Sequence, residues 1–281
     1  MPTTMRTMCR YIVYLSSDLK YVTIDNYVSA VISLNAHYGY DVSAIRSNFL
    51  FRSTLSGLKR ILGDPTPLRV TLSVHQLLAM YGFVDMTDCN ERSKWACIVS
   101  SFRTLLRKSN LVPDSSKGSP HYLRRRAVCF TGWGMLVSIS SSKTIQYGQR
   151  IHQIPVANVL GSPLCAVELL RSHFKDFPVS DPDSPAFLVR KGGRVVPLQY
   201  SDLLCFLKRL LRSIGMCTDR AGMHSLRRSG AAFMHLCGVP LEDIKYTGDW
   251  TSLSALLYLA KPLRSRILVD CSVAASLRTV R

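Results

Sequence analysis

The sequence lacks any long hydrophobic run. Its 281 residues contain no stretch of about 18 or more uncharged apolar residues, which excludes a helix that spans a membrane. The nine cysteines include no C-x-x-C pair, and there is neither a phosphate-binding glycine loop nor a cluster of carboxylates. Because the usual zinc, redox and nucleotide sites are missing, we expect the protein to need no metal or cofactor.

Acidic residues are scarce. The chain has 18 Asp and Glu against 36 Lys and Arg, a formal net charge of +18. Such an excess favours a polyanionic partner, since each Lys or Arg that meets a phosphate releases condensed counterions. We therefore expect nucleic acid, and no membrane, as the partner.

The cysteines are odd in number and scattered singly along the chain. Cys97, Cys205 and Cys237 have apolar neighbours in sequence, which predicts that their thiols act as small buried hydrophobes. Reduced cysteines of this kind are typical of the cytosol or nucleus.

Hydrophobic spacing predicts two domains in a mostly α fold with a small antiparallel β-sheet (α+β). Residues 1–62 carry three helical patterns, the last over 43–62 with Asp41 and Ser43 as caps and Gly63 as its end. Two prolines then stiffen a linker at 63–70. Residues 71–281 form the second domain, with one long helix predicted over 90–111 and a β-hairpin that turns near Ser141–Thr144.

A histidine and an arginine open a predicted helix after Gly222. His224 and Arg227 are three residues apart, so they share a helix face. The N-terminal dipole, the backbone N–H groups and the guanidinium all favour a phosphate there. Taken alone, the motif also fits a basic helix end that faces solvent.

A glycine step and a tyrosine follow this motif. Gly248-Asp249-Trp250 comes about two dozen residues later, and Tyr258 lies nine residues after Asp249. This order resembles the carboxy-terminal motif of the tyrosine recombinases of the phage-integrase superfamily. The segments HSLRRSGAAF, VPLEDIKYTGDW and LLYL are most similar to those of recombinases of eukaryotic mobile elements, the DIRS-like retrotransposons and Cryptons.

The resemblance implies a helical core-binding (SAM-like) DNA-binding domain over 1–62 and a catalytic domain over 71–281. It implies that Arg107 and Arg227 hold the scissile phosphate and that Tyr258 attacks it, forming a 3′-phosphotyrosyl link. Lys143 in the hairpin turn would be the general acid, and His224 would relay a proton or bond a phosphate oxygen. The chain would thus be a DNA strand transferase, a site-specific recombinase or integrase.

The sequence departs from the family pattern at two positions. Asp249 stands where many relatives have His or Trp, and a carboxylate there would repel a phosphate. We therefore expect Asp249 to cap a helix and the indole of Trp250 to contact the phosphate, with plain core packing of Trp250 as the alternative. The family's first catalytic arginine corresponds to Arg107 in the segment LLRKSNLVP, and an acidic residue usually accompanies it. Asn110 stands in place of that acidic residue and could still bond a guanidinium or the backbone.

Other basic residues are candidates for DNA backbone contacts, although each alone also fits a solvated surface. They are Lys59, Arg60, Arg124, Arg125, Arg126, Arg190, Lys191 and Arg194. Tyr246 lacks the family spacing, and we expect it to pack.

Two further activities are compatible with these residues: a DNA-binding protein of the same fold that is inactive or domesticated, and a relaxase like the type IB topoisomerases. The resemblance further implies that the substrate is double-stranded DNA and that four copies of the chain assemble on it. The segment after Tyr258 would be the tail that the protomers of this tetramer exchange. The location would be nuclear if the source is eukaryotic, and otherwise cytoplasmic. It also predicts that a helix of the core-binding domain is missing before Met1.

Overall fold

The computed structural model describes residues 3–63, 70–113, 122–142 and 144–250. Two of the predicted catalytic residues, Lys143 and Tyr258, lie outside the described residues. The chain forms two compact units, Met1–Leu68 and Arg69–Arg281.

In the part of the first unit that the structure describes, three helices surround a small apolar core. They are α1 (Met5–Leu15), α2 (Tyr21–His37) and α3 (Phe49–Leu62). Their buried side chains, such as Ile12, Ile24 and Phe51, recur at helical spacing, which is why the pattern predicted helices here.

The third helix begins later than predicted. The side chain of Asn48 accepts hydrogen bonds from the N–H groups of Leu50 and Phe51, at 2.9 and 3.4 Å, and so caps α3. Asp41 and Ser43 form a local turn instead, with the Ser43 N–H donating to the Asp41 carboxylate at 2.8 Å. The predicted end is confirmed, since Gly63 follows α3 with φ 67°.

The second unit is built around α5, ten of whose 16 residues are buried. Trp95 and Ile98 are fully buried within it, and it packs mainly against α7 and α9. The helices among the described residues of this unit are α4 (Val74–Tyr81), α5 (Cys89–Thr104), α6 (Lys108–Leu111), α7 (Ala166–Asp176), α8 (Tyr200–Ser213), α9 (Met223–Leu236) and α10 (Leu241–Thr247).

The long helix predicted over 90–111 is wrong. It breaks into α5 and α6 because Leu105 adopts a left-handed conformation with φ 55°. Arg107, which the long helix would have included, is instead the extended residue that precedes α6.

The predicted antiparallel sheet is confirmed. It consists of β1 (Val128–Phe130), β2 (Gly134–Ile139) and β3 (His152–Ala157), in that order. Val137 pairs with both Val128 and Ile154 across the sheet. The polar turn between β2 and β3 therefore projects from one end of the sheet.

A second antiparallel hairpin follows α7. Strand β4 (Leu188–Lys191) pairs with β5 (Arg194–Pro197) through a turn at Gly192 and Gly193. Both glycines have positive φ, 55° and 77°, as a two-residue turn of this twist requires.

The cysteine prediction is confirmed for one residue of three. Cys97 is buried in α5, but Cys205 and Cys237 are exposed. Helical positions next to apolar residues in sequence often face the opposite side, so sequence neighbours misled the prediction. Among the described residues, no helix is long and apolar enough to cross a membrane.

Candidate functional site

The start of α9 presents the predicted histidine and arginine. The Ser225 N–H donates to the Gly222 carbonyl at 2.8 Å, and the Gly222 N–H donates to the Ser225 hydroxyl at 3.3 Å. These two bonds begin the helix at Met223, as the sequence predicted. His224 is half-buried in the first turn, while Arg227, one turn later, is only 2% exposed.

The guanidinium of Arg227 joins three separate segments. It donates to the carbonyl of Leu105 at the end of α5 and to the carbonyl of Gly248 after α10. The indole ring of Trp250 lies over it, with 4.1 Å between the guanidinium carbon and the ring centroid. A buried charge needs such partners, and these contacts orient a planar group of five N–H donors.

Leu105 is held in a costly conformation. A left-handed residue with a side chain costs about 1–2 kcal/mol. Leu105 is fully buried against Ala231 and Ile244, and its carbonyl accepts from Arg227. This packing and hydrogen bonding maintain the sharp turn that leads into Arg107.

Arg107 follows Leu105, whose carbonyl accepts from Arg227, by two residues. Two residues of chain span at most about 7 Å, so the Cα of Arg107 lies within about 7 Å of the Cα of Leu105. Arg107 is half-buried, and within the described part of the chain its guanidinium makes no hydrogen bond or ion pair. A half-buried cation of this kind is suited to an anion.

The turn between β2 and β3 is fastened to α6. Asn110 donates from its side-chain amide to the Ser141 carbonyl at 3.0 Å, so this asparagine bonds the backbone as anticipated. The Ser142 N–H donates to the Ile145 carbonyl at 3.0 Å, which closes the turn around position 143. Lys143 itself lies outside the described residues.

Asp249 is directed at the same turn. One of its carboxylate oxygens accepts from the hydroxyls of Thr144 and, at 3.3 Å, Ser142; the other is paired with Arg150. Burial acts to raise the pKa of Asp249, but the hydrogen bonds from Thr144 and Arg150 outweigh it, so the pKa is below its usual value. The side chain is therefore a carboxylate at neutral pH.

Sequence reasoning missed this set of contacts. Asp249 has φ 52°, a left-handed conformation that aspartate tolerates better than most residues. Its partners precede it by about a hundred residues, and no local pattern marks them. His152, only 2% exposed, adds a further link, since its Nε2 lies 3.2 Å from the Thr247 carbonyl oxygen. The helix cap expected of Asp249 would involve residues after Trp250, outside the described residues.

Trp250 is placed by the glycine two residues before it. A Cβ on Gly248 would lie 2.0 Å from the indole ring, so the ring requires a glycine there. The indole also packs against the small cluster of Leu105, Ala231 and Ile244. The packing role is thus present, and the phosphate contact of the indole N–H stays a prediction.

Tyr246 is 63% exposed, yet its ring contacts the edge of the His152 ring, with 5.3 Å between centroids. Tyr258, the predicted nucleophile, lies outside the described residues.

The predicted DNA-contacting arginines before β1 have protein partners. Arg124 and Arg126 both pair with Asp183 at 2.9 Å. Arg125 donates to the Phe177 carbonyl at 2.6 Å and stacks on Phe174. Exposed ion pairs contribute only about 0–1 kcal/mol, so Arg124 and Arg126 could exchange Asp183 for phosphate, whereas Arg125 has a structural contact to lose.

The remaining predicted DNA contacts lie on exposed surfaces. Arg190, Lys191 and Arg194 surround the β4–β5 turn, where Lys191 pairs with Asp202 at 2.6 Å and Arg190 donates weakly to the Asp176 carbonyl at 3.5 Å. Lys59 and Arg60 are exposed in the last turn of α3, with the Lys59 ammonium 5.2 Å from the Tyr21 ring centroid. Their DNA contacts stay predictions.

Comparison with known proteins identifies the fold. No family model matches the chain, and no curated protein matches its sequence. The integrase of the Tn1549 transposon, solved in complex with circular intermediate DNA, superposes with a TM-score of 0.60 at 16% identity over 94% of this chain and 84% of that one. A lambda integrase dimer bound to a COC′ core site gives 0.57 at 13% identity over 91% and 64%.

A third similar structure is the XerH site-specific recombinase bound to palindromic difH substrate in a post-cleavage complex. Its TM-score is 0.52 at 13% identity, over 86% of this chain and 69% of that one. The predicted fold class, mostly helical with small antiparallel sheets, is thereby confirmed as that of the tyrosine recombinases.

Proposed function

We propose that this chain is a site-specific DNA recombinase that cuts and rejoins strands through a covalent link to Tyr258. The observation that carries the proposal is the pair of arginines in a tyrosine-recombinase fold. Arg227 is buried, and the carbonyls of Leu105 and Gly248 orient its guanidinium. Arg107, which is half-buried, follows Leu105 by two residues.

The two guanidiniums would bind the non-bridging oxygens of the scissile phosphate. The transition state of phosphoryl transfer carries extra negative charge on these oxygens, and forked, permanently charged donors stabilise it. Loss of either arginine should slow cleavage by about 10²-fold or more. The indole N–H of Trp250 would add a further donor.

The remaining roles concern protons. The phenol of Tyr258 has a pKa of about 10 in its ordinary state, so it must lose its proton as it attacks phosphorus. His224 would accept or relay this proton, or bond a phosphate oxygen. Lys143 would protonate the leaving 5′ oxygen. The product is a 3′-phosphotyrosyl bond and a free 5′ hydroxyl, and the reverse reaction rejoins a strand.

The biological setting is a further part of the proposal. The net charge of +18 supports binding to double-stranded DNA. The sequence around His224, Asp249 and Tyr258 supports an origin in a eukaryotic mobile element, and the protein would then act in the nucleus. We propose that residues 1–62 form a core-binding domain and that four copies assemble on paired sites. Gel filtration with and without DNA tests the assembly, and a persistent monomer on paired sites would contradict it.

A suicide substrate tests the chemistry. A nicked duplex loses a short fragment after cleavage and so traps the covalent complex, which wild type should form and Tyr258→Phe should not. Tyr246→Phe is the matched control, because this exposed tyrosine precedes the glycine turn and should leave trapping unchanged.

Three other results would change the proposal. Trapping by Tyr258→Phe would show that Tyr258 is not the nucleophile. No trapping by wild type, with salt-sensitive DNA binding intact, would favour the DNA-binding protein that does not cleave. Relaxation of a plasmid by a monomer without synapsis would favour the topoisomerase-like activity.

A further inference from the structure

We infer that Asp249 is a positioning residue that holds the β2–β3 turn so that Lys143 reaches the leaving oxygen. The inference rests on the proposed function. It assigns a role to the carboxylate at a position where a direct phosphate contact would be repulsive.

Asp249 holds both sequence neighbours of Lys143. Thr144 and Ser142 donate their hydroxyls to the same carboxylate oxygen of Asp249. These hydrogen bonds restrain the turn on either side of position 143, so a change at Asp249 would release both of those residues.

The turn is held from both sides. Arg150, just before β3, pairs with the other oxygen of Asp249, and its guanidinium is 42% exposed while the carboxylate is 10% exposed. On the opposite side, Asn110 holds the Ser141 carbonyl at 3.0 Å. The turn is thus connected to α6 and to the Gly248–Trp250 segment, and Arg227 also donates to the Gly248 carbonyl of the second of these.

Charge strengthens the contacts of Asp249. Charge-assisted hydrogen bonds to a carboxylate are about twice as strong as neutral ones. An ionised Asp249 can accept from Ser142, Thr144 and Arg150 at once, whereas the amide of asparagine can only accept at one of its two ends. The left-handed backbone at 249 suits asparagine as well as aspartate, so Asp249→Asn removes the charge without backbone strain.

The step at issue is the departure of the 5′ oxygen. The Tyr258 oxygen forms its bond to phosphorus, the bond from phosphorus to the 5′ oxygen breaks, and the electron pair of that bond stays on the 5′ oxygen. The Lys143 ammonium donates a proton to this oxygen, while the phenol proton leaves through His224 or water. A misplaced Lys143 slows the departure and leaves DNA binding unaffected.

The experiment compares two suicide substrates, one with the normal 5′ oxygen and one with sulfur at the bridging position. A thiolate leaves without needing a proton, so the sulfur substrate bypasses the general acid. Lys143→Ala sets the reference: it should lose about 10²–10⁴-fold on the oxygen substrate and recover on the sulfur substrate.

Asp249→Asn and Thr144→Val should follow the same pattern. We expect losses of about 10- to 100-fold on the oxygen substrate and rates within about twofold of wild type on the sulfur substrate. Glu91→Gln is the matched control, because Glu91 is an ion-paired carboxylate of the same unit whose partner, Arg209, lies on α8. It should cleave both substrates like wild type.

A second readout does not depend on cleavage. Hydrogen exchange of the backbone amides in residues 140–150 should be faster in Asp249→Asn than in wild type, and unchanged in Glu91→Gln. Equal losses on oxygen and sulfur, full activity of Asp249→Asn on oxygen, or a Lys143→Ala defect that sulfur does not relieve would each overturn the inference.

The failure of the proposed function is distinguishable from the failure of this inference. If wild type traps neither substrate, the proposed cleavage activity is wrong. The positioning role is then decided by exchange alone, and unchanged exchange in Asp249→Asn overturns it.

Discussion

Replacement of Gly230 by alanine should destabilise the second unit, although alanine is the better helix former. Gly230 lies in α9 where this helix crosses α5. A Cβ built there would be 2.0 Å from the Phe102 carbonyl oxygen and 2.5 Å from a methyl group of Leu105. The Phe102 oxygen belongs to the backbone of a buried helix, so it cannot swing aside.

The magnitude follows from these distances. An ordinary contact begins at 3.4 Å, so the two backbones would have to separate by about 1.4 Å, the difference between 3.4 and 2.0. Alanine gains about 1 kcal/mol of helix propensity over glycine. Overpacking in a core typically costs about 1–3 kcal/mol, and a backbone clash lies at the upper end or beyond. We expect a net loss of about 2 kcal/mol or more.

The displacement should also reach the site. Arg227 precedes Gly230 by less than one helical turn, and its guanidinium donates to the carbonyl of Leu105 at the end of α5. We therefore expect slower cleavage of the suicide substrate by Gly230→Ala, even under conditions where the protein is fully folded.

The assay is denaturant unfolding together with calorimetry of the full chain. The matched control is Gly57→Ala, because Gly57 lies inside α3 with no atom within 4 Å of its would-be Cβ. That variant should be more stable in the first unit by about 0.5–1 kcal/mol. If both alanine variants gained stability, the close crossing of α5 and α9 would be refuted.

Two more predictions concern buried charge. The Leu188 N–H donates to the ring of the buried His173 at 3.2 Å. Burial, together with the nearby charges of Arg125 and Arg92, lowers the pKa of His173 from an ordinary 6.5 to about 3. The folded state thus favours the neutral ring: this stability is complete above pH 6.5 and is lost as the pH falls towards 3, by about 1.4 kcal/mol per pH unit. His173→Gln should flatten that slope between pH 6.5 and 5 in urea titrations, and an unchanged slope would contradict the assignment. Arg227→Lys keeps the charge but loses the planar guanidinium, so either the Leu105 or the Gly248 carbonyl loses its donor. We expect the protein to lose about 1–3 kcal/mol of stability and to cleave about 10²-fold more slowly. Stability and cleavage both near wild type would contradict the role of Arg227 in joining these segments.

Residues whose structure depends on near neighbours could be predicted. Gly63 ends α3, and the chain after Gly222 starts a helix at Met223, as their sequence contexts indicated. Helix ends of this kind are set by caps and backbone freedom within a few residues. The alternation of the β2–β3 hairpin belongs to the same class of signal.

Positions set by distant contacts could not be predicted. The break after Thr104 depends on the buried packing of Leu105 and on its carbonyl bond to Arg227, which lies 122 residues further along the chain. Asp249 meets Thr144 across 105 residues, and no periodicity records that pairing. Cys205 illustrates the same limit, because its apolar neighbours suggested burial while its own side of α8 is exposed.

The sequence by itself therefore determined the kinds of elements, the basic character of the protein and the candidate residues of the site. Only the tertiary structure decided which of them meet: that Arg227 joins the ends of α5 and α10, and that Asp249 turns towards the hairpin. The physical reason is that propensity and capping act within one or two helical turns, whereas a buried charge takes its partners from whichever segments the packed core brings beside it.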